Sequence, residues 1–224
     1  MKMKSLMAVV LLAAGAATAQ TFNTNLTFAV NAAIPDADNN GLALAQTLAL
    51  PTLLGGPISD VTVSLNISGG YNGDLYAYLA GPGGGFAVLL NRTGVGGGNS
   101  FGSSGSGFNI TLDDSASHVN VHDATVAPGA VLGGTFNSDG ENIDPQSPAT
   151  AFPAGSTALL TSFNGNAADG TWTLFLADLS AGGQSQIVSW SLDITAVPEP
   201  ASLTLAALGG VAILALRHSR QRKL

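Results

Sequence analysis

Asp36, Asp38 and Asn40 stand at alternate positions before Gly41. That spacing opens an EF-hand-type loop, in which side-chain oxygens converge on a calcium ion and a glycine permits the sharp turn. The twelfth position of such a loop is Thr47 rather than glutamate, so the bidentate ligand is missing and the loop is not a complete EF-hand. Asp139, Glu141 and Asp144 form a second acidic loop, and Asp113-Asp114 a third. Hard oxygen donors in loops suit Ca²⁺, which makes these eight residues the candidate ligands. The competing reading is a set of turn residues whose carboxylates bond their own backbone.

His118 and His122 are four apart, and on a strand they would share one face, with Asp113, Asp114 or Asp123 as a further ligand. Two imidazoles fall short of the three or four ligands a transition metal needs, so solvated loop histidines are the simpler reading. Serines are common, but these are the only interior histidines and no Gly-x-Ser-x-Gly elbow occurs. The chain is therefore read as non-enzymatic. Asp74 follows the turn residue Gly73 and is expected to bond backbone. Tyr76 and Tyr78 point to one side of a strand, where they would either stack on a sugar or be covered by other structure.

Period-2 alternation supplies the elements that must hold these residues. Val61, Val63, Leu65 and Ile67 alternate with polar neighbours, as do Leu75, Ala77 and Leu79; Trp172, Leu174 and Leu176; and Val188, Trp190, Leu192 and Ile194. Both tryptophans fall on the apolar side and are expected in the core. Weaker strands are expected near 25–31, 42–50, 86–90 and 108–112. The glycine-rich stretch 94–107 is expected to be a flexible loop with little to bury. Residues 113–157 are too many for a structureless loop, so a strand is expected near 131–136. Eight to ten short strands without an interior helix imply an all-β sandwich or jelly roll.

Charge is segregated. Of seven basic residues only Arg92 lies between residues 20 and 197, against thirteen of the fourteen acids. Without a basic patch there is nothing to release counterions from phosphates, which excludes nucleic acid as a partner. The absence of cysteine removes disulfides and thiol chemistry.

The remaining bases lie at the two ends. Lys2 and Lys4 precede an apolar run, Leu6–Ala14, and then Ala17-Thr18-Ala19, a small-x-small site. Residues 1–19 thus read as a signal peptide cleaved between Ala19 and Gln20. At the other end Pro198-Glu199-Pro200 precedes the uncharged run 201–216, which as a helix spans ~24 Å against a hydrocarbon core of ~30 Å. Arg217, Arg220, Arg222 and Lys223 follow, and the positive-inside rule keeps them in the cytoplasm. The domain would then occupy residues 20–196 and the tail 197–224, with its motif at 197–202 and a transmembrane helix over 201–216.

Val197-Pro198-Glu199-Pro200-Ala201-Ser202, an apolar segment and an arginine-rich end together resemble the PEP-CTERM sorting signal. The resemblance implies processing near the motif by an exosortase, a membrane-embedded cysteine peptidase, in a Gram-negative bacterium that makes exopolysaccharide. Residues 31–195 resemble the P/Homo B domain of proprotein convertases. The resemblance rests on Ile34-Pro35-Asp36 with Gly41, Ile58–Ile67, and Gly73-Asp74-Leu75 through Gly81-Pro82 to Arg92. It continues in Phe108–Asp114, Phe163-Asn164-Gly165 with Gly170–Leu174 and Asp178, and Ser189–Leu192. The glycine-rich loop and the stretch 138–153 depart from it. An eight-stranded jelly roll is what it implies. In convertases that domain accompanies a subtilisin-like domain, for which 224 residues leave no room. The expectation is thus an exported, exosortase-processed surface or matrix protein with a structural or adhesive role. The alternatives are a calcium-dependent or carbohydrate-binding module and an accessory domain for a separately encoded protease.

Overall fold

Among the described residues nine strands form two sheets, most of them with alternating buried and exposed side chains. The structure, a computed structural model, describes residues 21–49, 56–115, 117–197 and 209–210. The signal peptide with Ala19 and Gln20, the motif Pro198-Glu199-Pro200 and nearly all of the apolar run after it lie outside the described residues. Among the described residues no helix is long and apolar enough to cross a membrane.

The strands are β1 Phe22–Ala33, β2 Leu42–Leu48, β3 Ile58–Gly69, β4 Leu75–Ala80, β5 Phe86–Asn91, β6 Gly107–Asp113, β7 Leu132–Phe136, β8 Gly170–Asp178 and β9 Ser185–Ala196. One sheet has the order β1-β9-β3-β6-β7 and the other β2-β8-β4-β5. Pairing is antiparallel except between β6 and β7, where Phe108 lies beside Leu132. Val61, Val63, Leu65 and Ile67 of β3 and Leu75, Ala77 and Leu79 of β4 all turn into a common core around Trp172 and Trp190, each almost fully buried. Burying both large rings is a major part of the apolar driving force.

The differences from the sequence expectation have local causes. Among the described residues nine strands form rather than the eight that the P/Homo B resemblance implies. Val188 does not face the core. A β-bulge sets Asn66 opposite Ser189 and Ile67 opposite Ile187, so Val188 is the extra residue and Ile187 takes the buried position. The glycine-rich stretch is packed rather than loose. Val95 is buried, the N–H groups of Asn72 and Gly73 donate to the carbonyls of Gly105 and Ser103, and Ser103 N–H donates to Thr93. Glycine is required there because two backbones touch. A Cβ on Gly73 would strike the Phe101 carbonyl, and one on Gly102, at φ +76°, would strike Thr93.

Candidate functional site

β5 is an edge strand of its sheet, and the segment after β7 closes that edge. Asp139 N–H donates to Leu89 O at 3.3 Å and Gly140 N–H to Val88 O at 2.9 Å, while Val88 N–H donates to Ala158 O at 2.9 Å. This lays Asp139 and Glu141 along β5, as a covered edge requires. A short 3₁₀ turn, Val121–Asp123, also packs against β5. Asn120 opens that turn by accepting the His122 N–H on Oδ1 at 2.7 Å.

His122, Asp139 and Glu141 are all buried, and one ligand atom from each lies within 4.8 Å of the others. His122 Nδ1 is 3.0 Å from Asp139 Oδ2 and its Nε2 is 2.9 Å from Val95 O. A carbonyl only accepts, so Nε2 carries a proton and Nδ1 faces the carboxylates. Asp139 Oδ2 also accepts the Asn91 N–H at 2.9 Å, and Oδ1 the Glu141 N–H at 3.3 Å. Asn91 Nδ2 donates to the carbonyls of Glu141 and Ile143 at 2.9 and 3.2 Å. Glu141 takes a backbone hydrogen bond from Ala154, yet its Oε2 has no partner although the residue is only 3% exposed.

Burial works against a charged imidazole at His122. The hydrogen bond and charge of Asp139, with the Val95 carbonyl and Glu141, outweigh it and lift the ring to about 9. Burial leaves the Asp139 carboxyl above the ordinary carboxylate range, although His122 and the N–H groups of Asn91 and Glu141 pull it part of the way back. One proton bridges the pair. Both Asp139 oxygens already accept N–H donors, which favours the carboxylate, so His122 holds the proton as imidazolium at neutral pH. Glu141 is lifted above the ordinary carboxylate range, first by burial and then by Asp139, against the restraint of Ala154 N–H and His122.

The other predicted ligands are engaged separately. Asp38 Oδ1 accepts Asn40 N–H and Nδ2 at 2.8 and 2.9 Å, an Asx turn, while Asp36 Oδ2 accepts Gly182 N–H at 3.4 Å. Gly41, at φ +54°, is needed because a Cβ would strike the Leu176 carbonyl of β8. Asp113 Oδ1 accepts Ser115 N–H and Oγ at 2.8 and 2.6 Å. Asp114 binds Ser138 N–H and Oγ at 2.7 and 2.6 Å and Leu160 N–H at 2.8 Å, tying three segments together. Asp144 is exposed and caps Gln146 N–H at 2.9 Å, apart from the cluster that holds Asp139 and Glu141.

The shared strand face proposed for His118 and His122 does not form. Residues 121–123 coil into the 3₁₀ turn, His118 is half-buried with its N–H on Asn137 Oδ1, and His122 is buried rather than solvated. The Asx-type cap at Asn120 was the sequence signal for that turn.

A second acidic corner was not anticipated. Asp178 at the end of β8 is buried, and Ser185 Oγ donates to its Oδ2 at 2.8 Å while Oδ1 has no partner. Burial lifts its carboxyl, Ser185 and Ser180 restrain it, and the charges of Asp74 and Asp36 lift it further. Asp74 is lifted by burial and Asp36, against Ser180 and Arg92.

Tyr76, Tyr78, Phe86 and Phe175 lie half-buried on the outer face of the four-stranded sheet. Tyr78 stacks on Phe175 at 4.8 Å and sits 5.2 Å from Phe86, and Tyr76 meets Phe175 edge-on at 6.3 Å. Beside them Asn39, Tyr76, Asp144, Gln146 and Phe175 line a groove of about 290 Å³.

Residues 196–222 match the PEP-CTERM protein-sorting motif, which marks an exported protein for processing at the membrane by an exosortase in Gram-negative bacteria. No curated protein matches the chain at a significant level. Among solved structures, the chain is similar to the crystal structure of the Aeromonas sobria serine protease with its chaperone ORF2. That likeness has 18% identity and a TM-score of 0.46 and covers 80% of this chain and 28% of that one. The crystal structure of the Aeromonas sobria serine protease itself gives 17% identity and a TM-score of 0.44, over 79% and 27%. The chain therefore spans less than a third of the length of those proteins.

Proposed function

We propose that this chain is an exosortase-processed protein held at the cell surface or in the extracellular matrix, where a non-enzymatic jelly roll of the P/Homo B type plays a structural or adhesive part. The observation that carries this reading is the sorting motif at 196–222, which begins at Ala196, the last residue of β9. A folded body ending where a sorting signal begins is the arrangement expected of cargo. The non-enzymatic part is supported by the engagement of His122. Both ring nitrogens are occupied, by Asp139 and by Val95, so neither is offered to a serine as a general base.

The test is the mass of the protein recovered from its own cells. Loss of residues 1–19 and a new C-terminus near Pro198 are expected, and alanine at Pro198, Glu199 and Pro200 should leave the longer membrane-held form. Recovery of the uncut 22.3 kDa chain from the cytosol would defeat the proposal.

A second reading rests on the outer aromatic face. Stacked rings beside the amides of Asn39 and Gln146 and the carboxylate of Asp144 suit an uncharged sugar chain, since rings cover C–H faces and the polar groups take hydroxyls. Binding on a glycan array that is lost in Tyr78→Ala would favour it over a purely structural role.

A further inference from the structure

We infer that His122, Asp139 and Glu141 bind a single small divalent cation of borderline softness, Zn²⁺ being the representative ion. The three side chains come from two segments far apart in sequence, yet their ligand atoms converge within 4.8 Å. Two ligands each about 2.0–2.2 Å from a common ion lie at most about 4.4 Å apart, so the cluster needs to close by only a few tenths of an ångström to grip one ion.

Three further observations point to an ion. Glu141 Oε2 is buried and has no partner, an arrangement that protein interiors avoid unless something charged faces it. The ring of His122 is fixed by its Nε2–H bond to the Val95 carbonyl at 2.9 Å, which aims Nδ1 at the carboxylates. Metal-bound imidazoles are held in this way through their other nitrogen. Two buried carboxylates converge on a single imidazole, with no arginine or lysine in the cluster. A divalent ion ligated by a neutral imidazole and two carboxylates gives a site of no net charge. His122 also lines a groove of about 390 Å³ with Val95, Asp123 and Pro153, which brings solvent to one side of the cluster. One nitrogen and two carboxylates suit Zn²⁺. Ca²⁺ takes six to eight oxygens, which this cluster does not supply. The ion would pin the 3₁₀ turn to the segment closing β5, independently of how the tail is processed.

The test uses the full chain, purified in detergent, stripped with a chelator and titrated with Zn²⁺. One equivalent should be retained after dialysis, and saturating Zn²⁺ should raise the melting temperature, because the site exists only in the folded state. Glu141→Gln, which keeps the shape and the acceptor for Ala154 N–H, should weaken binding roughly 100-fold or more. The double variant His118→Ala/His218→Ala should bind as the parent does. No retained Zn²⁺ with an unmoved melting temperature would overturn the inference. So would binding that survives Glu141→Gln and disappears in the double histidine variant. Should Glu141→Gln fail to fold, the melting shift of the parent chain and the double variant still decides the matter.

Discussion

Asp139 and Asp178 are both almost fully buried, the first on the segment that closes the β5 edge and the second at the end of the inner strand β8, but they are compensated differently. Asp139 has a cation at 3.0 Å and N–H donors on both oxygens. Asp178 has Ser185 Oγ on one oxygen, none on the other, and two further aspartates nearby. A body with one arginine among thirteen acids cannot give every buried carboxylate a guanidinium. It places its one buried histidine where two carboxylates meet and leaves Asp178 to dipoles. The difference shows which buried acid holds structure together and which is tolerated.

The sharpest way to break that contrast is Asp139→Ala. It strands a buried imidazolium and the N–H groups of Asn91 and Glu141, and should cost about 3–5 kcal/mol, read as a fall in the denaturant midpoint at constant slope. A loss under ~1 kcal/mol would show that the pair is not a fixed ion pair. Asp114→Ala comes next. It removes three charge-assisted bonds to Ser138 and Leu160 and should cost about 2 kcal/mol by the same measurement.

Asp178→Asn should move stability the other way, by up to ~1 kcal/mol at neutral pH, because it removes an incompletely compensated buried charge. The sign is set by the raised folded-state pKa. The wild-type proton is favoured in the folded state, so the stability it brings is fully present below the unfolded value of 3.8 and is lost as pH rises through the higher folded value. The advantage of Asp178→Asn should therefore shrink as pH falls and vanish below about 4. An advantage that holds constant across pH would mean the charge is not its source. The smallest effect is expected from Asp38→Ala, which loses only an Asx turn at the surface and should cost under ~1 kcal/mol. Addition of millimolar Ca²⁺ to wild type and to this variant should shift their melting temperatures equally if Asp38 serves its turn alone.

Much of the fold was legible because strand burial obeys a local rule. The alternation in β3, β4 and β8 placed Val61, Leu75 and Trp172 inside without reference to any other segment. The rule failed at Val188, where the bulge depends on the register of β9 against β3. No local pattern records such a pairing.

The candidate site was legible only in parts. Asp139 and Glu141 stood out together as acids in one turn-rich loop, and they do converge, but the third member expected beside them, Asp144, and the histidine expected beside His122, His118, are not in the cluster. Asp144 and His118, their neighbours in sequence, lie elsewhere, and the real partners are seventeen residues apart and carried on separate segments. Side-chain type and short-range periodicity are properties of the chain itself, so the sequence alone determined the strands, the acidic body and the sorting motif at its end. Which carboxylate meets which imidazole, and whether water is excluded from them, depends on how the edge of β5 is covered. Desolvation and through-space charge act between residues the chain keeps far apart, so only the tertiary structure could decide them.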